Sequence, residues 1–146
     1  MRLSCIRLVL LVSLLAPGLS YGDAVMEELV RRTEMPPQEV AELLSNCDRS
    51  QVHLNFCAYR DAVKADLEMA DVLVQKNQSL SNLCRIKLKA RQVSWVRSME
   101  RSCNKDADME ARQGAVRPMI FALCQAINTE MRTDELRKIS DCSSIR

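Results

Sequence analysis

Residues 80–103, LSNLCRIKLKARQVSWVRSMERSC, carry the pattern that decides the fold. Within this stretch, apolar and sulfur-containing side chains recur at the spacing of one helix face: Leu80, Cys84, Leu88, Trp95, Met99 and Cys103. Many of the positions between them are lysine or arginine, which suits the solvent side of an amphipathic helix. The stretch therefore predicts a long helix with a buried stripe and a cysteine towards each end.

Similar spacing on both sides of this helix predicts further helices. The first segment is a pair of short helices, residues 24–32 and 37–46, separated by a break at Met35-Pro36-Pro37. The later helices are expected over residues 52–76, 80–102 and 118–139. The chain has only three glycines and four prolines, which argues against a sandwich or barrel rich in turns. We predict an all-α fold, a small disulfide-stapled antiparallel bundle of about four helices.

Two details of this prediction concern the second half of the chain. Residues 104–116 are polar and charged and contain Gly114, so we expect a loop there. In the last helix, the residues expected to face inward are the larger apolar ones and a cysteine: Ile120, Leu123, Cys124, Ile127 and Met131.

The first 22 residues have the parts of a secretory signal peptide. Arg2 and Arg7 form a positive region, residues 8–16 are apolar, and small residues follow near position 20. Cleavage is expected after Gly22 or after Ala24, and residues 23–146 are assigned to a single helical domain. The apolar run is too short for a membrane span, so we expect an exported protein that does not cross a membrane.

Removal of the signal changes the charge of the chain. The full sequence has a net charge of +2, from 21 basic and 19 acidic side chains, and the signal contains two of the arginines. The mature protein is therefore close to neutral. Nucleic-acid binding normally needs an excess of basic charge, so we expect no nucleic-acid partner.

Six cysteines remain after the signal, a number that permits 15 pairings. Export favours disulfides over free thiols. The rise of antiparallel helices places Cys84 beside Cys142 at one end of the bundle, and that pair is predicted. The four cysteines at the other end allow two solutions. The local solution joins Cys47 to Cys57 and Cys103 to Cys124, and the alternative links Cys57 to Cys103 and Cys47 to Cys124.

Catalytic and metal sites find little support in the sequence. There is no Cys-x-x-Cys pair, and the single histidine, His53, lies among polar residues. Without free cysteines, neither a Cys-His nor a Ser-His arrangement is indicated. The carboxylates Asp106, Asp108 and Glu110 lie in the expected loop and are interpreted as solvated. We therefore expect no enzyme activity, no cofactor and no metal.

The second half of the chain resembles a known family. Trp95 precedes Cys103 by eight residues, and the spacing Cys124-x4-Thr129-x2-Arg132-x3-Leu136 follows. This pattern is similar to that of the LprI-type lysozyme-inhibitor domain of bacterial secreted proteins, over roughly residues 45–138. The family commonly has Tyr-Arg where this chain has Ser98 and Met99. Cys84 and Cys142 are additions to the four cysteines of the family.

The resemblance implies a protein that works by binding another protein, with a lysozyme as the expected partner. Trp95 is expected in the core, and Arg132 is expected to tie elements together, through Asp66, Asp71 or the loop before Pro118. Because lysozymes are commonly basic, the partner contact is expected at Asp106, Asp108 and Glu110. The alternative is a structural or accessory envelope protein of the same fold. The expected location is the periplasm or the outside of the cell.

Overall fold

The computed structural model of this protein describes residues 21–111 and 114–145. Within these ranges it contains five helices and no strand: α1 (Tyr21–Thr33), α2 (Pro37–Ser45), α3 (Gln51–Ser79), α4 (Asn82–Ala111) and α5 (Arg117–Arg137). Most of the predicted signal peptide, with Cys5, lies outside the described residues. The all-α prediction is confirmed, and the helices number five because the short first pair is counted separately.

Helix α5 occupies the middle of the bundle. It packs along α3 for most of its length and along α4 on its other side, whereas α1 and α2 pack on α3. The break between α1 and α2 has a local cause. Glu34 adopts a left-handed conformation with φ of 57°. Pro37 then opens α2 at a position where proline is favoured, because the missing N–H has no intrahelical partner there.

Helix α4 is longer than the sequence predicts. The prediction of a loop over residues 104–116 is therefore wrong. The helix continues to Ala111 because its inner stripe does: Cys103 and Ala107 are both completely buried. The chain then reverses in a short turn at Gly114, whose N–H donates to Ala111 O at 2.7 Å. A Cβ atom on Gly114 would lie 3.0 Å from the same oxygen, so a larger residue there would require the turn to shift by a few tenths of an ångström.

The buried face of α5 also differs from the predicted one. The structure leaves Leu123, Ile127 and Met131 exposed and buries a stripe of mostly smaller or polar residues: Ala122, Ala126, Thr129, Arg132, Thr133 and Leu136. The reason lies in the contact with α3, where Ala122 and Ala126 pack against a matching alanine pair, Ala58 and Ala62. Small side chains let two helix backbones approach closely. For this reason α5 buries its alanine face against α3 and leaves its more hydrophobic face exposed.

Two larger apolar clusters accompany the alanine contact. One joins the end of α3 to the start of α4, the end of α5 and the C-terminal tail, and includes Leu88, Leu136 and Ile145. The other holds α1 and α2 against α3 through Leu29, Val40 and Val63. The core is therefore distributed along α3.

Three disulfide bridges staple these clusters. Cys84 is joined to Cys142, the pairing that helix geometry predicts, and this bridge anchors the C-terminal tail to α4. The other four cysteines adopt the local solution, with bridges between Cys47 and Cys57 and between Cys103 and Cys124. Each bridge has one buried and one half-buried cysteine.

Candidate partner-binding site

The family-type residues Trp95 and Arg132 meet where α4 packs on α5. The guanidinium carbon of Arg132 lies 5.8 Å from the centre of the half-buried Trp95 ring, within the range of a cation–π contact. Arg132 Nε donates to Gln92 Oε1 at 3.1 Å, and Nη1 donates to Glu135 Oε2 at 2.8 Å. Arg132 is itself buried. These contacts describe a residue that holds α4 and α5 together.

The partners expected for Arg132 were wrong. Asp66 instead accepts a hydrogen bond from Arg32 Nη1 at 2.8 Å, which links α3 to α1. Thr129 and Leu136 are completely buried, and the Thr129 hydroxyl has no hydrogen-bond partner among the described residues. The motif residues Thr129, Arg132 and Leu136 therefore serve the packing of the bundle.

The three carboxylates predicted as a partner contact lie on the last turns of α4. Asp106 and Glu110 are four residues apart and share one side of the helix, whereas Asp108 points to the opposite side. Asp108 Oδ1 accepts a 2.6 Å hydrogen bond from Arg117 Nε at the start of α5. The structure thus separates the three groups into an acidic pair and one ion-paired carboxylate.

A second surface, which we call the outer α5 stripe, consists of Leu123, Ile127 and Met131. All three are exposed and follow one another at four-residue intervals. Glu130 and Asp134 flank the stripe on the same helix and are exposed as well. Exposed apolar side chains with a polar rim are typical of a protein-binding surface. Sequence reasoning missed it because it assigned these residues to the core.

The acidic side of the stripe continues towards α3. A shallow groove of about 240 Å³ lies between the two helices and is lined by Glu68, Glu130, Thr133, Asp134 and Arg137. Arg137 binds both Glu68 and Asp134, so it neutralises part of this acidic charge and holds the groove in place. Glu130 has no ion pair among the described residues and leaves a net negative rim.

The single histidine lies at the start of α3. Its Nδ1 is 2.7 Å from the hydroxyl oxygen of Ser50, which occupies the N-cap position of α3 without forming a side-chain capping hydrogen bond. Its Nε2 is buried and has no hydrogen-bond partner in the described part of the chain. The pair therefore lacks, among those residues, the third group that orients a catalytic histidine. In the same ranges, no group of three or more His, Cys, Asp or Glu residues is arranged to hold a metal ion.

Comparison with known proteins identifies a family. The family model described as lysozyme inhibitor LprI matches residues 45–136, which is more than half of the chain. The chain belongs to the LprI lysozyme-inhibitor family. No curated protein and no solved structure gives a significant match.

The LprI match covers α3, α4 and almost all of α5, together with the cysteines of two bridges. The third bridge reaches beyond it, because Cys142 lies outside the matched residues. At the two positions where the resemblance implies Tyr-Arg, Ser98 is exposed on α4 and Met99 is buried. The matched segment therefore contains the three long helices, and α1, most of α2 and the disulfide-bonded tail lie outside it.

The three disulfides and the LprI family together indicate an exported protein with a protein partner. Across residues 21–111 and 114–145, no helix combines the length and the apolar character needed to cross a bilayer.

Proposed function

We propose that the protein is an exported lysozyme inhibitor that acts by binding its target, in the periplasm or outside the cell. The observation that carries this proposal is the LprI match over residues 45–136. The matched residues form the three long helices that pack together and that two disulfide bridges cross-link. The segment that matches the inhibitor family is therefore one packed bundle.

The outer α5 stripe is the proposed centre of the contact. Leu123, Ile127 and Met131 supply apolar area that a partner removes from water, with a favourable free energy of roughly 25 cal/mol per Å². Glu130 and Asp134 at its edge complement the basic surface that lysozymes commonly present. Apolar anchors surrounded by a charged rim are the usual arrangement of a protein interface.

The acidic end of α4 is the second part of the proposed contact. Arg117, which binds Asp108, precedes Ile127 and Met131 on α5 by about 15 and 21 Å and lies roughly 80° and 40° from them around the helix. Asp108 therefore lies beyond the N-terminal end of the α5 stripe. Asp106 and Glu110 add negative charge nearby, which speeds the encounter with a basic partner.

The inhibition itself needs no chemistry from this chain. A bound protein that covers the substrate cleft of a lysozyme excludes the cell-wall polymer, and carboxylates held near the cleft occupy positions that polar substrate groups would otherwise take. The disulfide scaffold keeps the surface rigid, so little conformational entropy is lost on binding.

The test is a titration of the oxidised, signal-cleaved protein into lysozymes of several types digesting labelled cell wall. A reduced and alkylated sample is measured alongside. We expect dose-dependent inhibition that reduction abolishes. If none of the lysozymes is inhibited, the proposal fails, and the accessory envelope role becomes the better interpretation.

Matched variants locate the surface. Ile127→Asn should weaken inhibition at least tenfold, whereas Ile86→Asn on the outer side of α4 should leave it unchanged. The two isoleucines are similarly exposed, at 57% and 61%. The triple variant Asp106→Ala, Asp108→Ala, Glu110→Ala tests the acidic end. Inhibition that is unaltered by the triple variant removes that part of the contact.

A further inference from the structure

The outer side of α4 concentrates positive charge. Between residues 82 and 101 the helix has one carboxylate, Glu100, and six basic side chains: Arg85, Lys87, Lys89, Arg91, Arg97 and Arg101. All six are exposed, and none forms an ion pair with a carboxylate in the described residues. Two of them are held to backbone carbonyls, since Arg85 donates to Asn77 O and Lys87 to Cys142 O. Because the mature chain is close to neutral, this charge is a local excess.

Apolar side chains lie between these cations. Leu83, Ile86, Ala90 and Val93 follow at intervals of three and four residues and form one line along the exposed side of α4. The three larger ones are all exposed, and Leu83 is 73% exposed. Lys87 and Arg91 lie on one flank of the line, and Arg85 and Lys89 on the other. We call this line and its flanking cations the basic α4 face.

A groove adjoins the basic α4 face. It has a volume of about 420 Å³, and it lies between α4 and the end of α3. Leu73 and Leu88 contribute its apolar surface together with Ile86 and Val93, while Arg85 and Lys89 line it with positive charge. The apolar surface of the face therefore extends inward between the helices.

We propose that the basic α4 face binds the surface of bilayers that contain anionic phospholipids. A helix with an aliphatic line between cations suits such a surface, because the aliphatic groups enter the headgroup region while lysine and arginine extend to the phosphates. The line has no aromatic side chain to stack on nucleobases, which disfavours single-stranded nucleic acid. The proposal is independent of lysozyme inhibition, since it uses a different side of the molecule.

Charge complementarity also sets the orientation of the bound protein. The outer α5 stripe is flanked by Glu130 and Asp134, so an anionic bilayer repels that side and attracts α4. A protein held through α4 keeps the stripe accessible. It would therefore present its proposed inhibitory surface close to the membrane while remaining peripheral.

The experiment is co-sedimentation of the oxidised, signal-cleaved protein with phosphatidylcholine vesicles prepared with and without phosphatidylglycerol. We expect binding only when phosphatidylglycerol is present, and weaker binding as salt is raised. The double variant Lys89→Gln, Arg91→Gln should weaken binding by roughly 25-fold, because each cation contributes about fivefold. Ile86→Asn should also weaken it, and its matched control Ile127→Asn should not.

Circular dichroism and thermal unfolding of each variant establish that it folds, so that lost binding reports on the surface. Equal binding to pure phosphatidylcholine, or undiminished binding of both α4 variants, would overturn the proposal. Soluble glycerol phosphate and a short RNA are added as competitors. If either displaces the protein from the vesicles at low concentration, the face is a general polyanion site and the bilayer assignment is wrong.

Discussion

The disulfide bridges differ in how much chain they enclose, and this difference predicts a ranking of stability. The bridges between Cys84 and Cys142, Cys103 and Cys124, and Cys47 and Cys57 join residues 58, 21 and 10 positions apart. A bridge lowers the entropy of the unfolded chain more when it closes a longer loop. In that account the three bridges contribute about 4.2, 3.3 and 2.7 kcal/mol respectively at 25 °C.

The comparison between bridges is well matched in this molecule. Each bridge joins one buried cysteine to one half-buried cysteine, so replacing both by alanine removes a similar amount of packed sulfur in each case. The difference between variants then reports mainly on loop length. We expect Cys84→Ala, Cys142→Ala to lose about 1.5 kcal/mol more free energy of unfolding than Cys47→Ala, Cys57→Ala.

The assay is urea unfolding of the three double-alanine variants without reducing agent, followed by circular dichroism. The m-value of each transition checks that the same surface is exposed on unfolding. A ranking in which the bridge between Cys47 and Cys57 contributes as much as the one between Cys84 and Cys142 would refute the reasoning. Local packing of the clustered cysteines would then outweigh the entropy of the unfolded chain.

Three further predictions concern single side chains. Arg132→Ala should lower the free energy of unfolding by about 3 kcal/mol, because it removes the cation–π contact and the hydrogen bonds of a buried side chain. The fluorescence of Trp95, the only tryptophan, should change in the same variant. Thr129→Val should raise the melting temperature, with a gain of about 1 kcal/mol, since the buried hydroxyl has no partner; a loss of stability would contradict this. Hydrogen bonds from Arg31 and then Arg32 lower the pKa of Glu28 from 4.5 to about 2. The ionised Glu28 therefore stabilises the fold above pH 4.5, by up to about 1 kcal/mol. This contribution should be lost as the pH falls towards 2. In an acid titration of stability, Glu28→Gln should not show that loss.

The outer α5 stripe shows why part of the candidate site was not predictable from the sequence. Ile127 and Met131 are more hydrophobic than Ala122 and Ala126, so a pattern that weighs hydrophobicity turns the wrong side of α5 inward. The partner contact at the acidic end of α4 stays a prediction, and the helical conformation of these residues was not predicted. Once residues 104–111 are helical, Asp108 turns away from Asp106 and towards Arg117.

The sequence by itself determined the features that depend on short-range periodicity and composition. The all-α class, the inner stripe of α4, the break at Met35-Pro36-Pro37 and the pairing of Cys84 with Cys142 all follow from helix spacing and rise. Only the tertiary structure decided which side of α5 is buried, where α4 ends and how the clustered cysteines pair. These outcomes depend on how closely two helices approach. That distance is set by the facing side chains of both partners, such as Ala58 and Ala122, which no single helix contains.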